Sequence, residues 1–198
     1  MTDLAAINAM LDSRTRKILS VGDGGLRSVP DRYKGYAVST LDIDPETHPD
    51  YLMDAREMDQ ITDRFDVVCS LHNIEHFTAE DVPAVLAGMR HVLKPGGTVE
   101  VRTPDLEAIH NHQAAGGDLA DVAYESPIGP ITYDDILHGH QESVRGGNEY
   151  MRHLCMFTGH TLAEAMRQAG FDDIKVWRKD TFELIAMGVK PSATPSPS

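Results

Sequence analysis

The sequence predicts an α/β fold built on a mostly parallel sheet, and three observations carry that prediction. The first is the stretch 65–104, which runs FDVVCSLHNIEHF, then a helical segment, then MRHVLKPGGTVEVRTP. Strand, polar residues, helix, glycine turn and strand in that order make the βαβ unit of a parallel sheet. The second is a pair of earlier apolar runs, KILSV at 17–21 and YAVSTLDI at 36–43, which end in glycine or aspartate. The third is size: 198 residues with 41% hydrophobic content suffice for one domain with a full core.

Taken in order, residues 1–16 carry Leu4, Ile7, Met10 and Leu11 on one helical face, so a short amphipathic helix is expected there. Strands follow at 17–21 and 36–43, a very short one at 51–53, and two more at 65–71 and 98–103. Between the last two, 79–92 reads as a helix with Val82, Val85, Leu86, Met89 and Val92 at helical spacing. Gly96 and Gly97 are expected to stop it. Residues 104–160 then break the rhythm with a segment rich in His, Gly, Tyr, Asn and Gln. A connection this long inside a compact domain is usually a lid or binding loop, and its aromatic content argues for an ordered one. A helix at 161–169 ends at Gly170, and 171–190 reads as two strands joined through Lys179 and Asp180. The expected organisation is one domain over 1–190, with 104–160 as a substrate cap, and a disordered tail, PSATPSPS, over 191–198.

The formal charge of −13 argues against nucleic acid or an anionic membrane surface as a partner, because phosphate binding needs Lys and Arg in excess. No apolar run approaches the length of a membrane span. Two cysteines are too few for a disulfide framework, so Cys69 and Cys155 are expected as reduced thiols in a cytoplasmic protein.

Ligands of open α/β sheets bind beyond the carboxyl ends of the strands. Gly22, Asp23, Gly24 and Gly25 follow the first strand, where glycine admits a ligand close to the backbone. Asp42 ends the second strand, and a carboxylate there can accept two hydrogen bonds from ribose hydroxyls. Asp54 and Ala55 follow the third and are placed to meet an adenine edge. Ser70, Leu71 and His72 end the fourth.

Together these residues resemble a class I, Rossmann-like S-adenosylmethionine-dependent methyltransferase, and in particular a small bacterial subgroup of predicted methyltransferases. The resemblance rests on LDIDP (41–45), DARE (54–57), SLHNIEH (70–76), VLKPGG (92–97), TPDL (103–106), SPIGPIT (126–132), GHQ (139–141), the GN-Y-M-H segment (147–153) and the F-T-L…AGF stretch (157–171). It implies a seven-stranded, mostly parallel sheet with an antiparallel last strand and helices on both faces. It also implies S-adenosylmethionine as cofactor, held by Gly22, Asp23, Gly24, Asp42, Asp54, Ala55, Ser70 and Leu71. One departure concerns the first loop, VGDGGLRSVPDRYKGY, in which Leu26 stands where the usual third glycine would be and Pro30 falls mid-way. A complete helix barely fits between the first two strands.

For the acceptor, the compact polar cap and acidic surface favour a small molecule. Tyr124, Tyr133 and Tyr150 are candidate pocket walls, with Gln141 and Asn148 as polar partners. His72, His140 and His153 are candidate bases, since imidazole suits deprotonation near neutral pH. His72, Glu75 and His76 also spell H-x-x-E-H, a zinc-hydrolase pattern when it lies on a helix. Here it follows a strand directly, so no hydrolase is expected. The spacing of His138, His140, His153 and His160 gives no ligand geometry, so no metal ligand is assigned. Oligomeric state is left open.

Overall fold

The computed structural model describes residues 15–126, 129–179 and 182–192. The expected N-terminal helix and nearly all of the Pro/Ser tail lie outside the described residues. Seven strands form the main sheet: β1 (Lys17–Val21), β2 (Ala37–Asp42), β3 (Tyr51–Leu52), β4 (Phe65–Leu71), β5 (Leu93–Pro104), β8 (Asp172–Arg178) and β9 (Glu183–Val189). Their spatial order is β3-β2-β1-β4-β5-β9-β8. The first five run parallel, and β9 lies antiparallel between β5 and β8. That is the mostly parallel Rossmann-like sheet the sequence predicts. Central strands of such a sheet are covered on both faces, so β4 carries Val67, Val68 and Cys69 in a row, all buried.

Helix α1 (Val82–Val92) links β4 to β5. Its buried residues are Gly88 and the stripe read from the sequence, Val82, Val85, Leu86, Met89 and Val92. The helix starts later than expected because 78–81 form a turn, in which the Thr78 hydroxyl bonds the Asp81 carboxylate at 3.0 Å. It ends at Val92 as expected, but not because of the glycines. Leu93 is already extended and pairs with Phe65, while Thr98 pairs with Val67. The Lys94–Gly97 turn is therefore a bulge at the head of β5 and not the helix terminator. Lys94 anchors it to Asp66 at 2.8 Å. Each fully buried Leu or Met of the α1 stripe contributes about 1.5–3 kcal/mol of transfer free energy. The stripe packs with Leu162 and Met166 of a later helix over Leu19, Val68 and Val99 of the sheet.

The opposite face is built differently. Ile18, Val67 and Cys69 meet Tyr33, with Val29 and Tyr36 packed alongside. All three covering residues come from the connection 22–36, whose one helical element is a 3-10 turn at Asp31–Tyr33. The suspicion that a full helix barely fits there is met by a chain that omits it.

After β5 comes α2 (Leu106–Ala114), then the hairpin β6 (Val122–Ser126) and β7 (Gly129–Thr132), then α3 (Tyr133–His138) and α4 (Gln141–Arg145). These elements have a small core of their own, in which Ile109, Ile131 and Ile136 pack with Leu137, Met156 and Phe182. Thr132 and Asp135 form a reciprocal capping box that starts α3. The last helix, α5 (Gly159–Gln168), is capped by Thr158 in the same way. It returns the chain to the β8–β9 pair.

Candidate active site

Strand order reverses between β1 and β4, and the crevice at such a switch point is where open α/β sheets bind ligands. A cleft of about 1140 Å³ opens there. It runs from the ends of β1, β2 and β3 past the end of β4 to the underside of 124–154.

The β1 end supplies Gly22, Asp23 and Gly24. Gly22 has φ +66°, and a Cβ on it would fall 2.0 Å from Asn73 Oδ1, so glycine is required there on both counts. Asn73 therefore sits directly over the first glycine of the loop. Its Nδ2 and the Asp23 Oδ2 are both buried with no hydrogen-bond partner. A spare donor and a spare acceptor thus belong to two residues that line the same end of the cleft.

At the end of β2, Asp42 Oδ2 accepts from Gly24 N at 3.1 Å and Oδ1 from Asp44 N at 3.0 Å. Each oxygen keeps one lone pair. The neighbouring Ile43 is 44% exposed, an apolar wall that the cleft leaves open. Asp54 caps the turn Ala55–Gln60 and is chelated by Arg56, through Oδ1 at 3.0 Å and Oδ2 at 2.6 Å. Arg56 is the main cause that holds the Asp54 carboxyl below its ordinary range.

His72, just past β4, has φ +52°, a left-handed conformation that a non-glycine residue adopts only when held. Its N–H donates to Arg102 O at 2.9 Å. Its ring lies between two carboxylates, with Nε2 2.8 Å from Glu183 and Nδ1 3.4 Å from Glu75. Desolvation in the cleft works against a charge on this ring, but the hydrogen bond to Glu183 and the nearby Glu75 carboxylate outweigh it and push the pKa up to about 9. His72 is consequently an imidazolium at neutral pH.

Glu75 is fully buried. Burial alone would raise its pKa, yet the His72 charge beside it drives the net shift downward, and it stays ionised. Its backbone carbonyl accepts from Leu154 N at 2.7 Å and Cys155 N at 3.2 Å, which ties 74–76 to 152–155. That tie brings His153 beside His76, with ring centroids 5.0 Å apart. His153 Nδ1 is 2.9 Å from the Ile136 carbonyl, and burial is the main cause that lowers its pKa. His140, also on the cleft wall, holds its Nδ1 2.7 Å from Ser143 Oγ.

Of the residues expected from the sequence, Gly22, Asp23, Gly24, Asp42, Asp54, Ala55, Leu71, His72, Tyr124, His140, Asn148, Tyr150 and His153 line this one cleft. Three expected residues do not. Ser70 is fully buried and does not line the cleft. Tyr133 stacks on His112 at 3.7 Å within the small core of the 104–160 segment. Gln141 turns its amide to the Gly139 carbonyl at 2.9 Å. The sequence reading missed Asn73, Phe182 and Glu183 as cleft residues. Nothing in the local pattern distinguishes Phe182 or Glu183 from ordinary hairpin residues, since only the antiparallel return of β9 brings them beside β5.

A family described as a methyltransferase domain matches residues 5–176 of the sequence. The chain belongs to that methyltransferase family. No curated protein sequence matches the chain. Among solved structures, an O-methyltransferase family protein from Burkholderia thailandensis superposes with a TM-score of 0.59 at 14% identity, over 96% of this chain and 57% of that one. A SAM-dependent methyltransferase from Archaeoglobus fulgidus gives 0.56 at 13% identity, over 94% and 92%. The DhpI–SAH complex gives 0.55 at 17%, over 97% and 86%. At such identities the likeness is one of fold. This methyltransferase domain spans little more than half of the Burkholderia protein. No helix among the described residues is long and apolar enough to cross a membrane.

Proposed function

We propose that the cleft binds S-adenosylmethionine at the ends of β1–β3 and transfers its methyl group to a small-molecule acceptor held beneath residues 124–154. One observation carries this reading. A single continuous cleft joins the family's cofactor positions to a polar, aromatic second half that is built by a segment with its own core.

The residues present fit that cofactor. The spare lone pairs of Asp42 suit the two hydroxyls of a ribose, with exposed Ile43 as a wall for the base. The unpaired Asn73 amide and Asp23 carboxylate oxygen are the donor and acceptor that an amino-acid carboxylate and ammonium need. The loop after β1 leads into a 3-10 turn of three residues and offers no helix N-terminus for a pyrophosphate. A cofactor without phosphate groups matches that omission, and a nicotinamide dinucleotide does not. When bound, S-adenosylmethionine supplies an electrophilic methyl on a sulfonium.

The chain's own task is to align the acceptor and accept its proton. His72, already charged and clamped by Glu75 and Glu183, is in this reading a positioning residue for the β4 end, not the base. His140 is the base of this reading, because it lines the cleft and its ring is oriented through Nδ1. Incubation of the protein with a metabolite extract and trideuteromethyl S-adenosylmethionine tests the reading. A small molecule that gains the label in step with S-adenosylhomocysteine formation is expected. Cofactor that binds but is never consumed would instead make the domain a non-catalytic binding protein.

A further inference from the structure

Beside the cofactor half of the cleft, Glu75, His76 and His153 each present a potential ligand atom, and these atoms all lie within 4.8 Å of one another. The two imidazoles are oriented alike. His76 Nδ1 is 2.8 Å from the Arg152 carbonyl, and His153 Nδ1 is 2.9 Å from the Ile136 carbonyl. A carbonyl only accepts, so each Nδ1 carries a proton, and in the neutral ring it is Nε2 that keeps a lone pair for a ligand. That is the second-shell arrangement by which proteins fix histidine for a metal, with the remote N–H donated to backbone.

The independent observation is Glu75. Its side chain is fully buried, and neither carboxylate oxygen makes a hydrogen bond, although Oε1 stands 3.4 Å from His72 Nδ1 as an ion pair. A carboxylate with no hydrogen-bond partner at full burial is costly unless a cation meets it. His72 faces Oε1, which leaves Oε2 for that cation.

We propose that Glu75, His76 and His153 bind a divalent first-row transition cation, with zinc as the reference ion. Two imidazole nitrogens and one carboxylate oxygen form the donor set that leaves an open position in mononuclear zinc sites, and imidazole disfavours magnesium and calcium. Ligands about 2.0–2.1 Å from a tetrahedral ion stand roughly 3.4 Å apart, so side-chain rotations of the order of an ångström close the cluster on the ion. The frame for closure exists, since the Glu75 carbonyl already binds the backbone of 154 and 155. Cys155 stays outside the set. Its Sγ faces the Ile74 carbonyl at 3.6 Å and does not join the three ligand atoms.

Glu75, His76 and His153 all line the cleft that would hold the acceptor, so an oxygen of that acceptor is the natural next ligand. Only this last step rests on the methyl-transfer reading. The site itself rests on geometry and is read without turnover.

Metal-stripped, tag-free protein is dialysed against Zn²⁺ or Co²⁺ and assayed for bound metal and for Co²⁺ absorption. One equivalent of either ion, a visible Co²⁺ spectrum of four- or five-coordinate type and no uptake of Mg²⁺ are expected. His153→Asn and Glu75→Gln should weaken binding by more than the roughly 10–100-fold typical of losing a second-shell partner. His110→Asn, which alters an exposed histidine of α2, should leave it unchanged. Native protein that binds no equivalent, or binding that survives His153→Asn in a variant with native circular dichroism, overturns the site. Because the first arm uses native protein, a Glu75 variant that fails to fold does not rescue the proposal.

Discussion

Replacing Asp42 by alanine separates a ribose acid from a merely structural aspartate. In the structure, both carboxylate oxygens already accept one backbone N–H, from Gly24 and from Asp44, and each retains one lone pair. A ribose diol would use those two positions. A hydrogen bond to a charged acceptor is worth about 1.5–3 kcal/mol, and the two hydroxyls share one charge, so the loss is set at that scale and not at twice it. At about 1.4 kcal/mol per decade, Asp42→Ala should weaken S-adenosylhomocysteine roughly 10- to 150-fold by calorimetry. The substitution also frees two backbone N–H groups, which could loosen the loop and mimic the effect. A cycle with a 2′,3′-dideoxy analogue removes that ambiguity. Native protein should prefer the natural ligand by the full factor, and the variant should bind both ligands nearly alike. Asp44→Ala is the matched control, since Asp44 caps the Pro45–Thr47 turn. If the folded Asp42 variant keeps its affinity, or keeps its preference for the hydroxylated ligand, the ribose assignment is wrong.

Three further outcomes follow from the geometry. Gly139→Ala should destabilise the segment over the cleft by roughly 2–4 kcal/mol, because Gly139 has φ +88° and the new Cβ would lie 1.8 Å from the Met151 carbonyl oxygen; chemical denaturation reads the loss, and a change under 0.5 kcal/mol refutes the close contact. Asp135 is held ionised by hydrogen bonds from Gln141 and Thr132 that outweigh its burial, so its folded pKa lies below the ordinary 3.8. Its contribution is therefore fully present above that value and lost as pH falls through the folded pKa, so protection factors over 129–145, referenced to the intrinsic exchange rate at each pH, should fall with acid in native protein but much less in Asp135→Asn. His140→Asn should cut turnover by about 10²–10⁴-fold once an acceptor is in hand, with S-adenosylhomocysteine affinity unchanged; near-normal turnover removes His140 from proton transfer.

The sequence was most legible where local pattern and tertiary role coincide. The α1 stripe could be read because burial on one helix face imposes its own period, and β4 because a strand covered on both faces is continuously apolar. Boundaries were less legible. The end of α1 is set by pairing of Leu93 with Phe65, a non-local event, while the glycines expected to end it serve the bulge. In the cleft, Gly22 and Asp42 stood out by chemistry and place in the chain. Asn73 did not, because its role depends on lying over Gly22 from the loop after β4. Tyr133 and Gln141 carried the right residue types but are spent inside the 104–160 segment, on His112 and on Gly139. The charge on His72 was invisible in sequence, since Glu183 reaches it from far along the chain.

Native mass spectrometry of the purified protein with equimolar S-adenosylmethionine and NAD⁺ tests the central claim most directly. The account predicts a one-to-one complex with S-adenosylmethionine, displaced by S-adenosylhomocysteine and lost in Asp42→Ala, and no complex with the dinucleotide. Retention of NAD⁺, or no adduct with either cofactor from folded protein, would contradict it.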